Sequence, residues 1–259
     1  MDGVAFRPRA YVGVRGPDAE DFLQRMVSND VSQEACDALL LTPKARVIAP
    51  LTVWRRDEDD FLLLTEPELG DVVLRQLTRM RLRAQVEIER EEHTSHVALG
   101  GADGVPIADY GTPAVEVLDS DLEPTLGEDE LERLRVLAGT PRWGREIDDR
   151  ILPAEAGLDE TAISFTKGCY PGQEPVARLR YRGHANRSLR VLEIGGTELP
   201  PYDAELLLDG KAVGRVTSSV RNGDCIAALA YVRREVPQDA ELEVGDVTAR
   251  ALDSVTTRP

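Results

Sequence analysis

Lys167-Gly168-Cys169-Tyr170-Pro171-Gly172-Gln173-Glu174 sets a thiol, a cation and a built-in turn within eight residues. Pro171-Gly172 meets the demands of a type II turn, with φ fixed at the first corner and φ > 0 tolerated at the second. Gly168 has no Cβ to hold a ligand or a strand away. Cys169 therefore sits on a tightly shaped loop beside Lys167, and a neighbouring cation favours thiolate over thiol. From Lys167 to Arg190 the chain carries Lys167, Arg178, Arg180, Arg182, Arg187 and Arg190 against Glu174 alone, a local charge of +5 in a protein of −16. A basic island in an acidic chain points to a small anionic ligand.

The rest of the composition narrows the class. At 259 residues, 42% hydrophobic and 30% charged, the chain reads as a globular protein of two or three domains. Its apolar runs, such as Leu39–Leu41 and Phe61–Leu64, are far too short to cross a bilayer. Its acidity argues against direct contact with nucleic acid, whose binders present a basic face. The three cysteines, Cys36, Cys169 and Cys225, lie far apart and form no CxxC pair. Reduced thiols and a cytoplasmic location are expected.

Apolar spacing sketches the elements. Ala19, Phe22, Leu23, Met26 and Val27 form one stripe of a helix opened by Gly16-Pro17-Asp18. Residues 37–56 read as strands, with a hairpin at Arg56–Asp60 leading into Phe61–Leu64. Thr65-Glu66-Pro67-Glu68 matches a capping box before a helix carrying Leu69, Val72, Val73, Leu77 and Met80. A strand over Ala84–Glu89 completes an α+β unit with an antiparallel sheet. Short strands follow near His96–Leu99 and Ala114–Leu118, then a helix over about residues 129–138 that ends at Gly139, then an ordered loop over 148–158. After Arg187 five strand-like segments predict a small barrel or sandwich.

Several charged or polar groups are read more plainly. His93 and His96 lack further metal ligands nearby and are assigned to a solvated loop, and no metal site is expected. His184 either meets an anion or faces water. Asp57-Glu58-Asp59-Asp60 reads as a hairpin tip. Cys36 and Cys225 read as small packed residues. Tyr170 either stacks on a flat ligand or anchors its loop.

The octapeptide resembles the signature of the folate-binding YgfZ proteins, within the superfamily of the glycine-cleavage T-protein, an aminomethyltransferase. Val176-Ala177-Arg178 and Tyr181-Arg182-Gly183 extend the likeness, as do Ser28-Asn29-Asp30-Val31 and Leu152–Leu158 upstream. The resemblance implies an α+β protein of three domains in a cloverleaf. Residues 1–47 and 105–185 would form the folate-binding domain, 48–104 a ferredoxin-like unit and 186–259 a C-terminal β-barrel. It implies tetrahydrofolate, or a related reduced folate, in a central opening. It also implies a monomer that supports iron–sulfur enzymes or their assembly proteins, and through them tRNA modification, without touching nucleic acid or membrane. It carries a functional role to Cys169, and folate contact to Lys167, Tyr170, Gln173, Glu174, Arg178, Arg182, Asn29 and Glu155.

Two departures from the superfamily bear on chemistry. Where aminomethyltransferases carry an aspartate pair, this chain has Ala49-Pro50, and neither residue can move a proton. Leu137 stands where relatives carry a glutamate that reads the pterin ring, and leucine cannot accept its N–H groups. A true aminomethyltransferase is therefore not expected. The alternatives to a maintenance factor are a one-carbon transferase acting on another substrate and an interaction module whose folate pocket has decayed.

Overall fold

A computed structural model describes residues 2–101 and 103–252 of the chain. In order, its elements are β1 (Gly3–Phe6), β2 (Ala10–Arg15), α1 (Ala19–Met26), β3 (Ala35–Leu41), β4 (Val47–Asp57), β5 (Asp60–Thr65), α2 (Gly70–Met80) and β6 (Glu87–Glu91). Then come β7 (Ser95–Leu99), β8 (Val105–Ile107), β9 (Ala114–Leu118), α3 (Glu128–Leu137) and α4 (Gln173–Arg182). The last six are β10 (Arg187–Ile194), β11 (Glu205–Leu208), β12 (Lys211–Asn222), β13 (Cys225–Arg233), β14 (Leu242–Val244) and β15 (Val247–Ala251).

They build three β units. The first is a five-stranded antiparallel sheet in the order β3-β4-β5-β2-β6. With β3 set aside as an added edge, β4-β5-β2-β6 and the two helices give the ferredoxin-like strand order. The helices share one face of the sheet: Ala19, Phe22 and Leu23 of α1 and Val73 and Leu77 of α2 pack on Val12, Val14, Val53 and Leu63. β2 lies inside this sheet, between β5 and β6, so the sheet begins at Ala10, ahead of the limit at residue 48 that the resemblance implies. A boundary at 47/48 would cut through β4.

The second unit is a four-stranded sheet, β1-β7-β9-β8, and the third a closed barrel in which β15 returns to pair with β10. The barrel has six strands, not five, because Gly245, at φ +58°, turns the last segment back on itself. Three apolar contacts join the units into a ring. Tyr11, Leu62 and Leu64 of the first sheet meet Leu118 of the second. α3 wedges between the second sheet, through Leu131 and Leu134, and the barrel, through Val136 and Leu137. The 147–176 segment bridges the barrel at Tyr231 to the β3–β4 turn at Leu41, Ala45 and Val47.

Some local expectations change. Thr65 caps no helix: it is buried, and its hydroxyl donates to the Pro50 carbonyl at 2.8 Å, so a 3-10 turn over Pro67–Leu69 leads into α2 without a side-chain cap. His96 is buried in β7 against Phe6 and so belongs to no solvated loop, whereas His93 does lie in the 92–94 loop, where it bridges Glu91 and Asp119. α4 carries no periodic signal in the sequence, because Pro175 and the arginine-rich stretch behind it give no apolar stripe, and only Val176 of this helix is buried.

The turn read from Pro171-Gly172 does form. Gly172 adopts φ +85°, ψ 0°, and the Gln173 N–H donates to the Tyr170 carbonyl. A Cβ on Gly172 would lie 2.7 Å from the Thr42 carbonyl oxygen and 3.2 Å from the Cα of Ala45. Glycine is thus required twice, for its torsion and for close approach to the β3–β4 turn. Gly172→Ala should cost about 2 kcal/mol or more, read as a lower urea midpoint; an unchanged midpoint would contradict this packing.

Candidate functional site

Where the three units meet they leave a cavity of about 1060 Å³. One wall comes from the β1–β2 link and the β3–β4 face: Arg7, Arg9, Asp37, Pro50, Thr52 and Glu66. Another comes from α3 and the loop after it, with Glu132, Arg135, Arg142 and Trp143, and the barrel adds Ser219, Val220 and Arg221. The size suits a drug-sized organic ligand.

Both walls are stiffened by buried charge. On the sheet side Glu116 is fully buried, accepts from the Ser95 hydroxyl at 2.6 Å, and faces Arg9 Nε at 3.3 Å and Arg7 at 3.9 Å. Arg7 in turn holds Asp109 at 2.8 Å. Burial works against the Arg7 cation, but the surrounding Asp109, Tyr110, Glu116 and Glu66 outweigh it and raise its pKa. Thr52 accepts from Arg9 and donates to Asp37, both at 3.3 Å. On the helix side Arg135 forks onto Glu132 and reaches Glu146 at 3.1 Å, while Glu146 also accepts from Ser218 at 2.7 Å and from the Arg142 N–H at 3.0 Å. Desolvation opposes the Glu132 carboxylate, yet Arg135, Arg142 and Arg145 together hold its pKa below the usual value.

None of the residues selected from the sequence lines this cavity. Lys167 lies one residue behind the wall. Its ammonium donates to the carbonyls of Val27, at 3.0 Å, and Asn29. The Asn29 amide donates onward to Asp37 O at 2.7 Å and Thr161 O at 3.1 Å, and Asp37 and Thr161 do line the cavity. Burial pushes the Lys167 ammonium down to about 8, with Asp30 as the charged neighbour that opposes the shift. The cation beside Cys169 in sequence is thus turned inward, towards Cys36. Tyr170 is 7% exposed and packs with Leu41, Ala45 and Val176, so it anchors the loop and is no lid.

The remaining selected residues spread outward. Gln173 and Glu174 open α4; Glu174, Arg178 and Arg182 are exposed, and the two arginines form no ion pair among the described residues. Arg180 holds Asp159 at 3.5 Å. Glu155 is committed to Arg187 and to the Leu152 N–H, each at 3.1 Å. Leu137 itself packs against the barrel and does not face the cavity. The +5 island is therefore mostly consumed by internal partners, and Arg190 too donates to the carbonyls of Val236 and Pro237. Pro50 does line the cavity, whereas Ala49 is buried on the helix side of the sheet.

Sequence reasoning missed Arg9, Glu66, Glu116, Arg135 and Glu146. Only Glu116 carried a signal: period-2 alternation in Ala114-Val115-Glu116 sets a carboxylate on the same inward face as Ala114. The others depend on which loops meet across the ring. Among the described residues no group of three or more His, Cys, Asp and Glu could hold a metal ion, and no helix is long and apolar enough to cross a membrane.

Cys169 is exposed, and a side chain at Gly168 beside it would meet open space. Burial pushes the Cys36 thiol up to about 12, with Asp37 adding to the effect. Desolvation and a contact with Glu193 also raise Cys225, whose thiol donates to the Asn222 carbonyl at 3.0 Å. Brief alkylation of the native protein at neutral pH should therefore modify Cys169 at least about tenfold faster than the other two, as read by peptide mass spectrometry. Equal labelling of the three would contradict it.

No family model matches the chain. The chain is 26% identical to the iron-sulfur cluster assembly factor IBA57 homolog, mitochondrial, of Pyricularia oryzae, covering 96% of this chain and 76% of that one. It is also 26% identical to the tRNA-modifying protein YgfZ of Klebsiella pneumoniae, over 83% of this chain and 80% of the relative. The crystal structure of the glycine cleavage system aminomethyltransferase T from Bartonella henselae superposes with a TM-score of 0.83 at 18% identity, covering 98% of this chain and 85% of that one. Likeness along most of the sequence to relatives named IBA57 and YgfZ, and a fold shared with a glycine-cleavage aminomethyltransferase, fit the superfamily that joins the YgfZ proteins to the T-protein.

Proposed function

We propose that this protein binds a reduced folate in its central cavity and serves the assembly or upkeep of iron–sulfur proteins, including ones that modify tRNA. The observation that carries the reading is the cavity, which has the volume for a folate and presents carboxylate and guanidinium groups on more than one wall. Arg7, Arg9, Asp37 and Glu66 would hold one end of the ligand, and Arg142, Arg145 and Arg221 the other. The names of the IBA57 and YgfZ relatives support the iron–sulfur and tRNA side. A bound reduced folate supplies one-carbon carriage or reducing equivalents.

The chain's own residues divide the remaining work. Trp143, Pro50 and Leu39 exclude water from the ligand's flat portion. Lys167 and Asn29 fix the wall from behind, through the Asp37 and Thr161 carbonyls. Cys169, on the outer side of the same loop, is the group offered to a partner protein. With Pro50 on the wall and Ala49 buried away from it, no side chain at these two positions takes a proton from a folate-bound amine, and the reading excludes aminomethyl transfer.

Titration calorimetry with 5-formyltetrahydrofolate should give saturable binding that weakens as salt rises, because carboxylates of the ligand meet arginines. The same preparation, mixed with glycine-cleavage partners and tetrahydrofolate, should release no ammonia above background. Absence of folate binding would overturn the reading, and ammonia release at about 1 s⁻¹ or faster would overturn its second part.

A further inference from the structure

The sheet-side wall holds a charged pair that the fold itself leaves incompletely used. The Arg9 side chain is only 6% exposed. One terminal nitrogen donates to Thr52 Oγ1 at 3.3 Å, and the other lies 3.6 Å from Glu66 Oε1, beyond hydrogen-bond range. Its Nε is buried 3.3 Å from Glu116 but not aligned with it, and has no hydrogen-bond partner among the described residues. Glu66 is itself largely buried, at 18% exposed, and its carboxylate accepts no hydrogen bond among the described residues. Both side chains line the cavity. A guanidinium this buried is normally satisfied and Arg9 is not, so the pair it forms with the cavity-lining Glu66 marks where a ligand completes the set.

The chemistry of the pair is directional. A guanidinium only donates and a carboxylate only accepts. Side by side, they complement a planar edge on which a ring carbonyl adjoins a ring N–H and an exocyclic amine. Phe6, a large apolar side chain left 46% exposed, and Pro50 and Pro67 line the cavity with them and offer flat apolar surface to a ring face. We propose that Arg9 and Glu66 read the 2-amino-4-oxopyrimidine edge of the folate ring, Glu66 accepting from N3–H and the 2-amino group and Arg9 donating to the 4-oxo oxygen. The assignment rests on the folate reading above, and it moves ring recognition from α3, where Leu137 faces the barrel, to the β1–β4 side of the cavity. Guanine presents the same edge, which lets the two readings be separated.

The full chain is titrated with 5-formyltetrahydrofolate, with p-aminobenzoylglutamate, which lacks the ring, and with guanosine. Glu66→Gln keeps the shape and removes the charge. It should weaken 5-formyltetrahydrofolate by about 10- to 100-fold and leave the weak binding of p-aminobenzoylglutamate unchanged. If Glu66→Gln binds 5-formyltetrahydrofolate as the wild type does, ring recognition by Glu66 is overturned while folate binding stands. If the wild type ignores folate but binds guanosine in a Glu66-dependent manner, the edge assignment stands and the folate reading falls. If the wild type binds none of the three, both fall. Should Glu66→Gln not fold, a 2,4-diamino folate analogue decides with the wild type alone. Its 4-amino group sets a donor against Arg9, so it should bind at least about tenfold more weakly, and equal affinity would overturn the proposal.

Discussion

The fully buried carboxylate of Glu146 is the point on which the ring of three units depends. It accepts from Arg135 of α3, from the Arg142 backbone and from Ser218 of the barrel, while its own backbone carbonyl accepts from the Tyr231 hydroxyl at 2.7 Å. Both oxygens are used and the counter-charge is in contact, so the cost of burying the ion is offset locally. Removing one partner of such a pair costs about 3–5 kcal/mol, because the other is left charged and dry. α3 is further tied to the barrel by the apolar contact of Val136 and Leu137 and by Arg133, which donates to Asn222 at 3.1 Å. The cavity wall bearing Glu132, Arg135 and Arg142 is positioned by the same joint.

A second constraint fixes the opposite side of the ring. The signature segment is pinned at three points: Lys167 on the carbonyls of Val27 and Asn29, Tyr170 in the apolar bridge, and Gly172 against the β3–β4 turn. That turn already holds Ala45 at φ +58°, a torsion tolerated because the turn is tied by Thr42–Arg46 hydrogen bonds and packed on the loop. Cys169 lies between two of these anchors and, with Gly168, is left outside. Its exposure follows from how its neighbours are held. The segment is therefore a structural clasp on the inner side and a presented thiol on the outer side.

Elements with a strong local period could be read from the chain. α1 and α2 declared themselves by apolar stripes, the 57–60 hairpin by its charged tip, and the barrel by short strands between turn residues. The Pro171-Gly172 turn was legible because its torsions admit few residues. α4 was hidden by its arginines, and the start of the ferredoxin-like unit was hidden because β2 pairs with β5 and β6, strands far away in sequence. The cavity was the least legible part. Arg9, Glu66 and Arg135 lie on three different stretches that meet only when the ring closes, and no spacing rule links them. The basic island misled for the converse reason: adjacency in sequence concentrated charges that the fold sends to Asp159, Glu155 and several carbonyls.

The central claim is that the ring's inner cavity, and not the arginine-bearing surface of α4, receives the folate. A crystal structure of the protein grown with 5-formyltetrahydrofolate tests it most directly. The account predicts density for the pterin ring against the β1–β4 wall, with the p-aminobenzoyl portion running towards α3 and the barrel. Density outside the ring, against Arg178 and Arg182 of α4, with the inner cavity holding only water, would contradict it.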